Sequence, residues 1–438
     1  MGWLLNFVYA LLLVAASPLI GWRMLRHRRY RRGWRERLFG LLPPRSDFNR
    51  PLVWLHAVSV GEVLLLPTLT RRLASQQPDL QFLVTTSTDT GFDVARDKLA
   101  GCRITWMPLD FTWAVRAALR RVRPDLVLLV ELELWPNLIR GVGDAGIPLT
   151  LVNARLSERS FRGYRRLRRL VAPLLNRCTR IAAQSGEYAR RFVQLGADSS
   201  RVHVTGSIKF DGVQTDRRNP HTRAIRAAFG WPEGVPVFVA GSTQSPEEEA
   251  AIDAWRAARR SHPDLLLVLV PRHRERFENV ATLLKVRGVP FRRRSQLGTA
   301  PASADGVPPV LLVDTIGELS AVWGLADIAY VGGSLTAGRG GQNMLEPAAF
   351  GAAVLFGPHT ENFRASVQLL LSNDAAAVIR SALDLADHLG RLLDDPCERE
   401  RMGKRARQLV GDQQGATART VELLSPLLTA SHSDRRAA

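Results

Sequence analysis

The stretch VWLHAVSVGE at residues 53–62 decides the fold class. It opens as a short apolar strand, passes through a turn of small residues, and leads into a helix predicted to begin at Glu62. A strand, a glycine-containing turn and a helix in this order place polar groups at the carboxyl edge of an open α/β sheet. Glu62 is then either a residue that only starts a helix, or a functional carboxylate whose pKa the helix dipole lowers.

Short apolar strands alternate with helices on both sides of this stretch. Continuous apolar runs such as DLVLLV at 125–130 are typical of parallel strands buried on both faces. Two successive runs predict an α/β protein with two Rossmann-like, doubly wound domains that face a central cleft. The predicted strands lie near 51–56, 80–86, 125–131, 147–153, 180–184 and 201–205, and then near 235–240, 264–270, 310–313, 328–331 and 352–356.

The predicted boundaries follow composition. We expect a first domain over residues 51–210, a polar linker over 211–230, a second domain over 231–412, and a closing helix and tail over 413–438. Helices are predicted over 396–410 and 417–424, with the latter ended by Pro426.

The net charge of +19 is concentrated in two stretches of the 438 residues. Residues 23–50 contain ten arginines and two acids, and residues 155–180 contain nine arginines and one acid. A hydrophobic content of 46% excludes a disordered chain. Because the three cysteines, Cys102, Cys178 and Cys397, are far apart, neither a disulfide framework nor a cysteine metal site is predicted.

The N-terminus is interpreted as an uncleaved membrane anchor over residues 1–22, followed by a basic juxtamembrane segment over 23–50. Residues 3–22 are uncharged, and at about 1.5 Å per residue they match a hydrocarbon core of ~30 Å. The arginines follow the apolar run, which is the reverse of a signal peptide and places the rest of the chain in the cytoplasm. Pro18 leaves open whether the helix spans the bilayer or lies in one leaflet. Anionic lipid is the favoured partner of the arginines, with nucleic acid as the alternative not adopted.

Polar residues follow several strands of the first run, where a structural turn needs only Gly, Asn or Pro. Strand 125–130 is followed by ELELWPN at 131–137, strand 147–152 by NARLS at 153–157, and strand 201–205 by GSIKFD at 206–211. Carboxyl ends of parallel strands meet at one edge, so these exits predict a functional crevice. The spacing leaves open whether Glu131 or Glu133 is the functional acid.

The second run ends in motifs suited to a phosphate. Strand exits carry GST at 241–243, PRH at 271–273 and DTIGE at 314–318, and a glycine-rich loop covers 332–343. Glycines let backbone amides approach a phosphate, and the following helix adds a favourable field. Neither a P-loop nor GxGxxG is present, and no DxD, HExxH or paired CxxC motif occurs, so no metal or other cofactor is expected.

Taken together these segments resemble the 3-deoxy-D-manno-octulosonic acid (Kdo) transferases of Gram-negative bacteria. The similarity covers nearly the whole chain in order, and only Met344 and residues 336–339 are less typical of it. The matching segments are WLHAVSVGE at 54–62, ELELWPN at 131–137, NARLSERS at 153–160, GSIKFD at 206–211, GST at 241–243, PRH at 271–273, DTIGEL at 314–319, and the segments GGSL, GGQNMLEPAAFG and VLFGPHTENF within 332–363.

The resemblance implies a GT-B fold and an inverting transfer of Kdo from CMP-Kdo to lipid IVA, at the cytoplasmic side of the inner membrane. It makes the first domain the acceptor domain and the second the donor domain. Glu62 then matches the general base and Glu131 a second acid required for activity. The donor-binding residues implied are Lys209, Ser242, Thr243, Arg272, His273, Gly317, Glu318, Gly333, Ser334, Gly341, Asn343 and Glu346.

Acceptor binding is expected from Ser59, Gly61, Arg155, Arg162 and Arg166. The arginines at 162, 165, 166 and 169 have the spacing of one helix face, which indicates either a phosphate-binding surface or a solvated basic face. Two other functions remain open from the residues alone. One is another nucleotide-sugar enzyme, such as a UDP-sugar transferase or epimerase, and the other is a membrane-tethered lipid binder without activity.

Overall fold

The computed structural model describes residues 2–26, 32–297 and 308–436. The chain divides into two compact units. Unit 1 consists of Met1–Gly212 together with Gln413–Ala438, and unit 2 consists of Val213–Asp412. The C-terminal helix therefore belongs to the same unit as the N-terminal half of the chain.

Unit 1 is built on a parallel sheet of seven strands in the order β3-β2-β1-β4-β5-β6-β7. Successive residues of β1 face opposite sides, so Trp54 and Leu55 enter two separate apolar cores. The sheet is therefore covered on both faces, as its continuous apolar strands require. The strands are β1 (Leu52–His56), β2 (Gln81–Thr86), β3 (Arg103–Trp106), β4 (Leu126–Val130), β5 (Leu149–Ala154), β6 (Arg180–Ala183) and β7 (Val202–Val204).

The helices of unit 1 pack on both faces of this sheet or at its ends. They are α1 (Gly2–Arg26), α2 (Trp34–Phe39), α3 (Val60–Val63), α4 (Leu66–Gln76), α5 (Asp89–Lys98), α6 (Thr112–Val122), α7 (Pro136–Asp144), α8 (Glu158–Arg166), α9 (Arg168–Leu175), α10 (Gly186–Gln194) and α19 (Ala416–Arg436).

Unit 2 repeats the architecture with a second parallel sheet, in the order β10-β11-β9-β8-β12-β13-β14. Its strands are β8 (Val237–Thr243), β9 (Leu266–Pro271), β10 (Phe291–Arg293), β11 (Val310–Leu312), β12 (Ile328–Val331), β13 (Ala353–Phe356) and β14 (Ala376–Val378). Its helices are α11 (Pro220–Phe229), α12 (Glu247–Ala258), α13 (Phe277–Val286), α14 (Leu319–Trp323), α15 (Leu345–Ala349), α16 (Arg364–Leu371), α17 (Ala382–Asp394) and α18 (Pro396–Gln413).

The strand order reverses direction between β1 and β4 in unit 1, and between β8 and β12 in unit 2. Open α/β sheets bind ligands outside the carboxyl ends of the strands at such a switch point. Glu62 follows β1 and Glu131 follows β4, so both lie at the switch point of unit 1. The glycine-rich loop follows β12 and the GST motif ends β8, which places both at the switch point of unit 2.

The prediction of an α/β protein with two doubly wound sheets is confirmed. Three strands that the sequence did not predict are β3, β10 and β14, which lie at or next to the sheet edges. These strands contain only three or four residues, and most of their residues are half-buried. Strands β3 and β10 contain arginine and lack the continuous apolar run by which the central strands were recognised, whereas β14 lies in a short apolar run made mostly of alanine, a weak strand former.

Several local predictions differ from the structure. The segment predicted as a linker contains α11, which Asn219 caps through Thr222 N and which Gly230 ends with a φ of 67°. Helix α19 continues through Pro426, because Leu424 and Leu428 on either side of it are buried against unit 1.

The arginines of residues 162–169 do not form one continuous helix face. Leu167, with φ −105° and ψ 19°, separates α8 from α9, and Arg169 is therefore on a different helix from Arg162.

The N-terminal helix is present as α1. Within the described residues, however, none of the helices combines the length and the apolarity needed to cross a bilayer.

Candidate active site

Glu62 is held in a fixed position by the turn that follows β1. Ser59 caps the short helix α3, and its hydroxyl lies 2.7 Å from Glu62 Oε1 and donates to it. The backbone N–H of Val58 donates to Glu62 Oε2 at 2.8 Å. Val58 O in turn accepts from the hydroxyl of Thr88 at 3.0 Å, which ties the turn to the segment after β2. The sequence S-x-x-E is a capping-box pattern, and here it orients a buried carboxylate.

Burial raises the pKa of Glu62, while the hydrogen bonds from Val58 and Ser59 lower it and the charge of Glu131 raises it further. The prediction that a helix dipole lowers this pKa is therefore wrong. Helix α3 has only four residues and offers a weak dipole, whereas the side chain has lost most of its contact with water. The result is a stronger base than an exposed glutamate.

Glu131 is the first residue after β4 and adopts a φ of +60°, an unusual conformation for a residue other than glycine. Its carboxylate lies 3.4 Å from Nζ of Lys209. Residues strained in this way cluster at functional sites. The structure thus brings together two residues that are 78 positions apart and that the resemblance placed in one site.

Asn153 holds the turn that carries Lys209 close to Glu131. This buried residue has a φ of +52° and accepts a hydrogen bond from Ile208 N through Oδ1 at 3.0 Å. The bond draws the turn Ile208–Phe210 over the end of β5 and towards β4. The sequence named the NARL exit but did not single out Asn153 as a residue that positions others.

Glu133 forms the third carboxyl group at this edge. Its Oε2 atom accepts a hydrogen bond from the indole N–H of Trp135 at 3.0 Å. Burial, followed by the charge of Glu62, raises the pKa of Glu133 to about 7. Beside it His56 is fully buried, 5.9 Å from the ring of Trp135, and burial lowers the pKa of His56 to about 4, so it is neutral.

The two acids that the sequence left as alternatives therefore have different environments. Glu131 pairs with a lysine, whereas Glu133 is half-buried and protonated over part of the physiological range. Glu62 interacts electrostatically with both. Carboxylates that share a site raise one another's pKa, so Glu133 retains a proton near Glu62 at a higher pH than an isolated glutamate would.

The predicted acceptor residues lie on two parts of unit 1. Ser59 and Gly61 are exposed beside Glu62, and a Cβ at Gly61 would meet only Ser59 Oγ, at 3.8 Å. Arg155 is half-buried just after β5. Arg162 pairs with Glu158 at 3.0 Å, and with Arg166 it lines a shallow cavity of about 500 Å³ on α8. The pKa of Tyr164, on the same helix, is raised mainly by burial and also by the charge of Glu133.

In unit 2 a buried glutamate organises the glycine-rich loop. Glu247 is the first residue of α12 and is fully buried. Its carboxylate accepts backbone hydrogen bonds from Gly333 at 2.7 Å, Ser334 at 3.0 Å and Leu335 at 3.0 Å. The hydroxyl of Tyr330 donates to it at 3.1 Å. The loop that was predicted to bind a phosphate is therefore held in place by the buried carboxylate of Glu247.

Small residues are required where this loop crosses β8. A Cβ at Gly332 would lie 2.7 Å from Ser242 O and from Thr243 Cα. Gly333 and Gly341 have positive φ values of 65° and 76°, which suit glycine. Ser242 itself has a φ of +55°.

Ser334 and Thr243 are both buried within this part of the loop. The Ser334 hydroxyl donates to Val331 O at 2.6 Å and accepts from Gly357 N at 2.8 Å, so it links the ends of β12 and β13. Thr243 Oγ1 is buried without a hydrogen-bond partner among the described residues.

Arg272 and Glu346 form the charged part of the predicted donor site. Arg272 is exposed after β9 and makes no ion pair within 4 Å with any residue that the structure describes. Burial raises the pKa of Glu346. The hydrogen bond from Asn343 and the charge of Arg272 act in the opposite direction but do not cancel this effect. Asn343 Nδ2 donates to Glu346 Oε1 at 3.0 Å. His273 is exposed next to Arg272.

The DTIGE exit after β11 is held by ion pairs. Glu318 lies 2.9 Å from Arg294 and also accepts from the hydroxyl of Thr315. Gly317 is exposed with a φ of 92°, and a Cβ there would meet no atom within 4 Å. The carboxylate of Glu318 is thus already occupied within the unit, whereas the backbone around Gly317 is open.

Two residues that hold parts of the site in position, Asn153 and Glu247, were not predicted from the sequence. A non-glycine residue in a tight strand exit was the available signal for Asn153. For Glu247 the signal was an acid in the first turn of the helix that follows the GST motif. In the described part of the chain, no group of three or more His, Cys, Asp or Glu residues is arranged to hold a metal ion.

Comparison with known proteins supports the interpretation of both units. Residues 32–212 match the family described as 3-Deoxy-D-manno-octulosonic-acid transferase (kdotransferase), and residues 338–425 match a glycosyl transferase-like family. A 3-deoxy-D-manno-octulosonic acid transferase from Haemophilus influenzae is 34% identical over 97% of this chain and 99% of its own length. One from Bordetella pertussis is 35% identical over 96% and 99%. This chain belongs to the Kdo transferase family.

One solved structure agrees with the fold of this chain, and a second is similar to it in sequence over its C-terminal part. A glycosyltransferase from Rickettsia africae has a TM-score of 0.51 at 12% identity and covers 87% of this chain and 99% of its own. The C-terminal CMP-Kdo binding domain of WaaA from Acinetobacter baumannii is 28% identical over 43% of this chain and 97% of that chain, with a TM-score of 0.40.

The predicted activity, transfer of Kdo, is confirmed by the family. The two other functions considered, a UDP-sugar enzyme and a lipid binder without activity, are not favoured. The individual roles of the site residues stay predictions.

Proposed function

We propose that the protein transfers Kdo from CMP-Kdo to lipid IVA in lipopolysaccharide biosynthesis, with inversion, and that Glu62 is the general base. The observation that carries this proposal is the fixed, buried carboxylate of Glu62 at the switch point of unit 1. Its raised pKa makes it a better proton acceptor for a sugar hydroxyl. The open surface at Gly61 gives an acceptor room to approach it.

Glu131 and Glu133 take different parts in this proposal. Glu131, paired with Lys209, raises the pKa of Glu62 through its negative charge and so strengthens it as a base. Glu133 stays neutral during part of the reaction, so that a second negative charge does not accumulate beside the base. Lys209 is proposed to bind the anionic donor as well, because its side chain is 41% exposed beside Glu131.

The donor is proposed to bind unit 2 through backbone amides and Arg272. The departing CMP carries a phosphate. An exposed arginine and the amides of the glycine-rich loop beyond Leu335, which do not donate to Glu247, are proposed to stabilise it without proton transfer. Glu346, held by Asn343, accepts hydrogen bonds from ribose hydroxyls. Ser242, Thr243, His273, Gly317 and Glu318 line the same carboxyl edge and complete the proposed donor site. We propose that these groups meet the charge of the leaving group without a metal.

The acceptor is proposed to meet unit 1 through Ser59 and Gly61 at the base and through arginines further away. Lipid IVA is an amphiphile with two phosphates, and guanidinium groups bind phosphate in two-point contacts. Arg155, Arg162 and Arg166 are the arginines proposed for this contact. The shallow cavity on α8 supplies a basic surface for it.

Attachment to the cytoplasmic face of the inner membrane is proposed through α1. The outer side of α1 exposes large apolar side chains, with Trp3 79% and Val14 70% exposed. Such a surface is favoured against lipid rather than water. The arginines that follow α1 in the sequence favour an anionic leaflet.

A donor and acceptor assay tests the proposed function. The purified protein is incubated with lipid IVA and CMP-Kdo generated in situ, and the mass of the product is measured by mass spectrometry. We expect the mass of lipid IVA to rise by one or more Kdo residues, with release of CMP. Parallel reactions with UDP-sugars are expected to give no product. A lipid IVA of unchanged mass, or transfer only from a UDP-sugar, would contradict the proposal.

A further inference from the structure

Helix α1 packs on unit 1 with a stripe of residues that includes polar side chains. Its partly or fully buried positions at helical spacing are Gly2, Leu5, Asn6, Tyr9, Leu13 and Ala16. Asn6 is 5% exposed, whereas Trp3, Leu4, Phe7 and Leu11 on the other side are more than half exposed. A helix held by apolar contacts alone would not bury an amide, so the buried Asn6 requires another explanation.

Asn6 is clamped to the first turn of α6. Its Nδ2 donates to the hydroxyl of Thr112 at 2.7 Å, and its Oδ1 accepts from Thr112 N at 3.0 Å. The same Oδ1 is 3.4 Å from Nδ2 of Asn137, at the start of α7. A buried amide with both of its polar atoms satisfied fixes geometry more strictly than an apolar contact does.

Asp110 connects α1 to α7 directly. The Tyr9 hydroxyl donates to Asp110 Oδ2 at 3.1 Å. The two carboxylate oxygens also accept from the backbone N–H groups of Asn137, at 2.9 Å, and Leu138, at 2.8 Å. Asn137 Nδ2 donates in addition to Asp110 O at 2.5 Å. The first turn of α7 is therefore capped by a carboxylate that α1 holds in place.

Helix α7 begins at Pro136, directly after the loop that carries Glu131, Glu133 and Trp135. The position of its first turn determines where this acidic loop, residues 131–135, ends. We propose that α1 is a positioning element for the acidic loop, acting from Asn6 and Tyr9 through Asp110 and Asn137. This inference rests on the proposed role of the loop in transfer. It makes the same helix that meets the membrane a determinant of active-site geometry.

Asp110 gives this connection a pH dependence that can be measured. Burial raises the pKa of Asp110 to about 6, and the bonds from Asn137, Leu138 and Tyr9 and the charge of Arg140 lower it. When the carboxyl takes up a proton it accepts hydrogen bonds less well, and the first turn of α7 loosens. Loss of the Tyr9 hydroxyl raises this pKa, so the loosening begins at a higher pH.

The test compares Tyr9→Phe and Asn6→Ala with Ser17→Ala as control. Ser17 lies on the same helix, and among the described residues its hydroxyl donates only to Val14 O of that helix. Amide hydrogen exchange over residues 131–140 is measured by mass spectrometry, together with kcat between pH 5 and 8. We expect exchange in the first turn of α7 to quicken about fivefold in both variants, the effect of one hydrogen bond. In Tyr9→Phe we also expect the decline of kcat on acidification to start at a higher pH.

The outcomes separate this inference from the proposed function. Unchanged exchange over 131–140 in both variants would overturn the inference, even if the wild type transfers Kdo normally. Faster exchange combined with an unchanged pH profile and kcat would show docking without positioning, and would also overturn it. A wild type that transfers no Kdo while exchange responds as expected would contradict the proposed function and leave the link from α1 to α7 supported.

Discussion

The character of Glu62 follows from a balance between burial and a few hydrogen bonds. Burial disfavours its charge, whereas Val58 N–H and the Ser59 hydroxyl favour it. A general base needs both effects, since it has to be ionised and yet bind a proton readily. The nearby Glu131 and Glu133 add negative charge that only Lys209 offsets by direct ion pairing among the described residues.

Glu133→Gln is predicted to stabilise the protein increasingly as the pH rises from 4.5 to 7, and to the full extent above pH 7. Because the pKa of Glu133 is raised from 4.5 to about 7, the folded protein retains a proton that the unfolded chain has already lost in that window. The free energy of unfolding therefore falls as the pH rises from 4.5 to 7. Glutamine stays neutral, so the variant should gain about 2 kcal/mol at pH 8, after a discount for partial exposure.

Urea unfolding at pH 4.5 and pH 8 checks this prediction. The two proteins should have equal stability at pH 4.5, and the variant should be more stable at pH 8. A gain of the same size at both pH values would show that the effect does not come from the ionisation of Glu133.

At the scale of elements, most of the candidate site residues are positioned by the turns that follow the strands. The exits after β1 and β4 meet at the switch point of unit 1, and those of β8 and β12 meet at that of unit 2. Apolar runs and exit motifs were enough to predict these positions. The helix break at Leu167 was not predictable from the spacing of the arginines. For Glu247 the sequence indicated an acid at the start of a helix, but not which backbone N–H groups packing brings to it.

Glu247→Gln is predicted to loosen the glycine-rich loop. Each carboxylate oxygen accepts at least one backbone N–H, from Ser334 and Leu335 on one side and from Gln244 and Gly333 on the other. An amide nitrogen cannot accept, so at least two buried N–H groups lose their acceptor whichever way the glutamine turns. We expect a loss of about 2–4 kcal/mol in stability and a weaker affinity for CMP, by about fivefold or more.

Calorimetric titration with CMP, at a temperature where the variant is folded, measures the second effect. Glu275→Gln is the control, since Glu275 is exposed in the same unit. Wild-type affinity in Glu247→Gln would contradict the role assigned to the loop amides.

At the scale of the molecule, the sequence predicted two doubly wound sheets because each contains several strands with continuous apolar character. The short strands β3 and β10 were missed because they contain arginine, and β14 was missed because it consists mostly of alanine, a weak strand former. The packing of α19 on unit 1 was also missed, since no local pattern indicates which unit a C-terminal helix joins. For α1, the sequence predicted a helix but not the polar residues by which it docks.

Attachment to lipid is predicted to depend on the outer side of α1. Replacement of both Trp3 and Phe7 by serine removes two exposed aromatic side chains, each of which contributes roughly 1.5–3 kcal/mol when buried. We expect co-sedimentation with anionic phospholipid vesicles to fall by at least about tenfold. Ile316→Ser, which removes a side chain that is 71% exposed in unit 2, should bind as the wild type does. Equal loss in the control would mean that general surface hydrophobicity, and not α1, causes binding.

Turnover of Glu62→Gln with lipid IVA and CMP-Kdo tests whether Glu62 is the general base. The variant keeps the shape of the side chain and loses its ability to take up a proton. If Glu62 is the general base, kcat falls by about 10²–10⁴ while CMP affinity and the melting temperature stay close to those of the wild type. Glu422→Gln, at an exposed position of α19, should retain full activity. A Glu62→Gln variant that folds, binds CMP and turns over within tenfold of the wild-type rate would contradict the account.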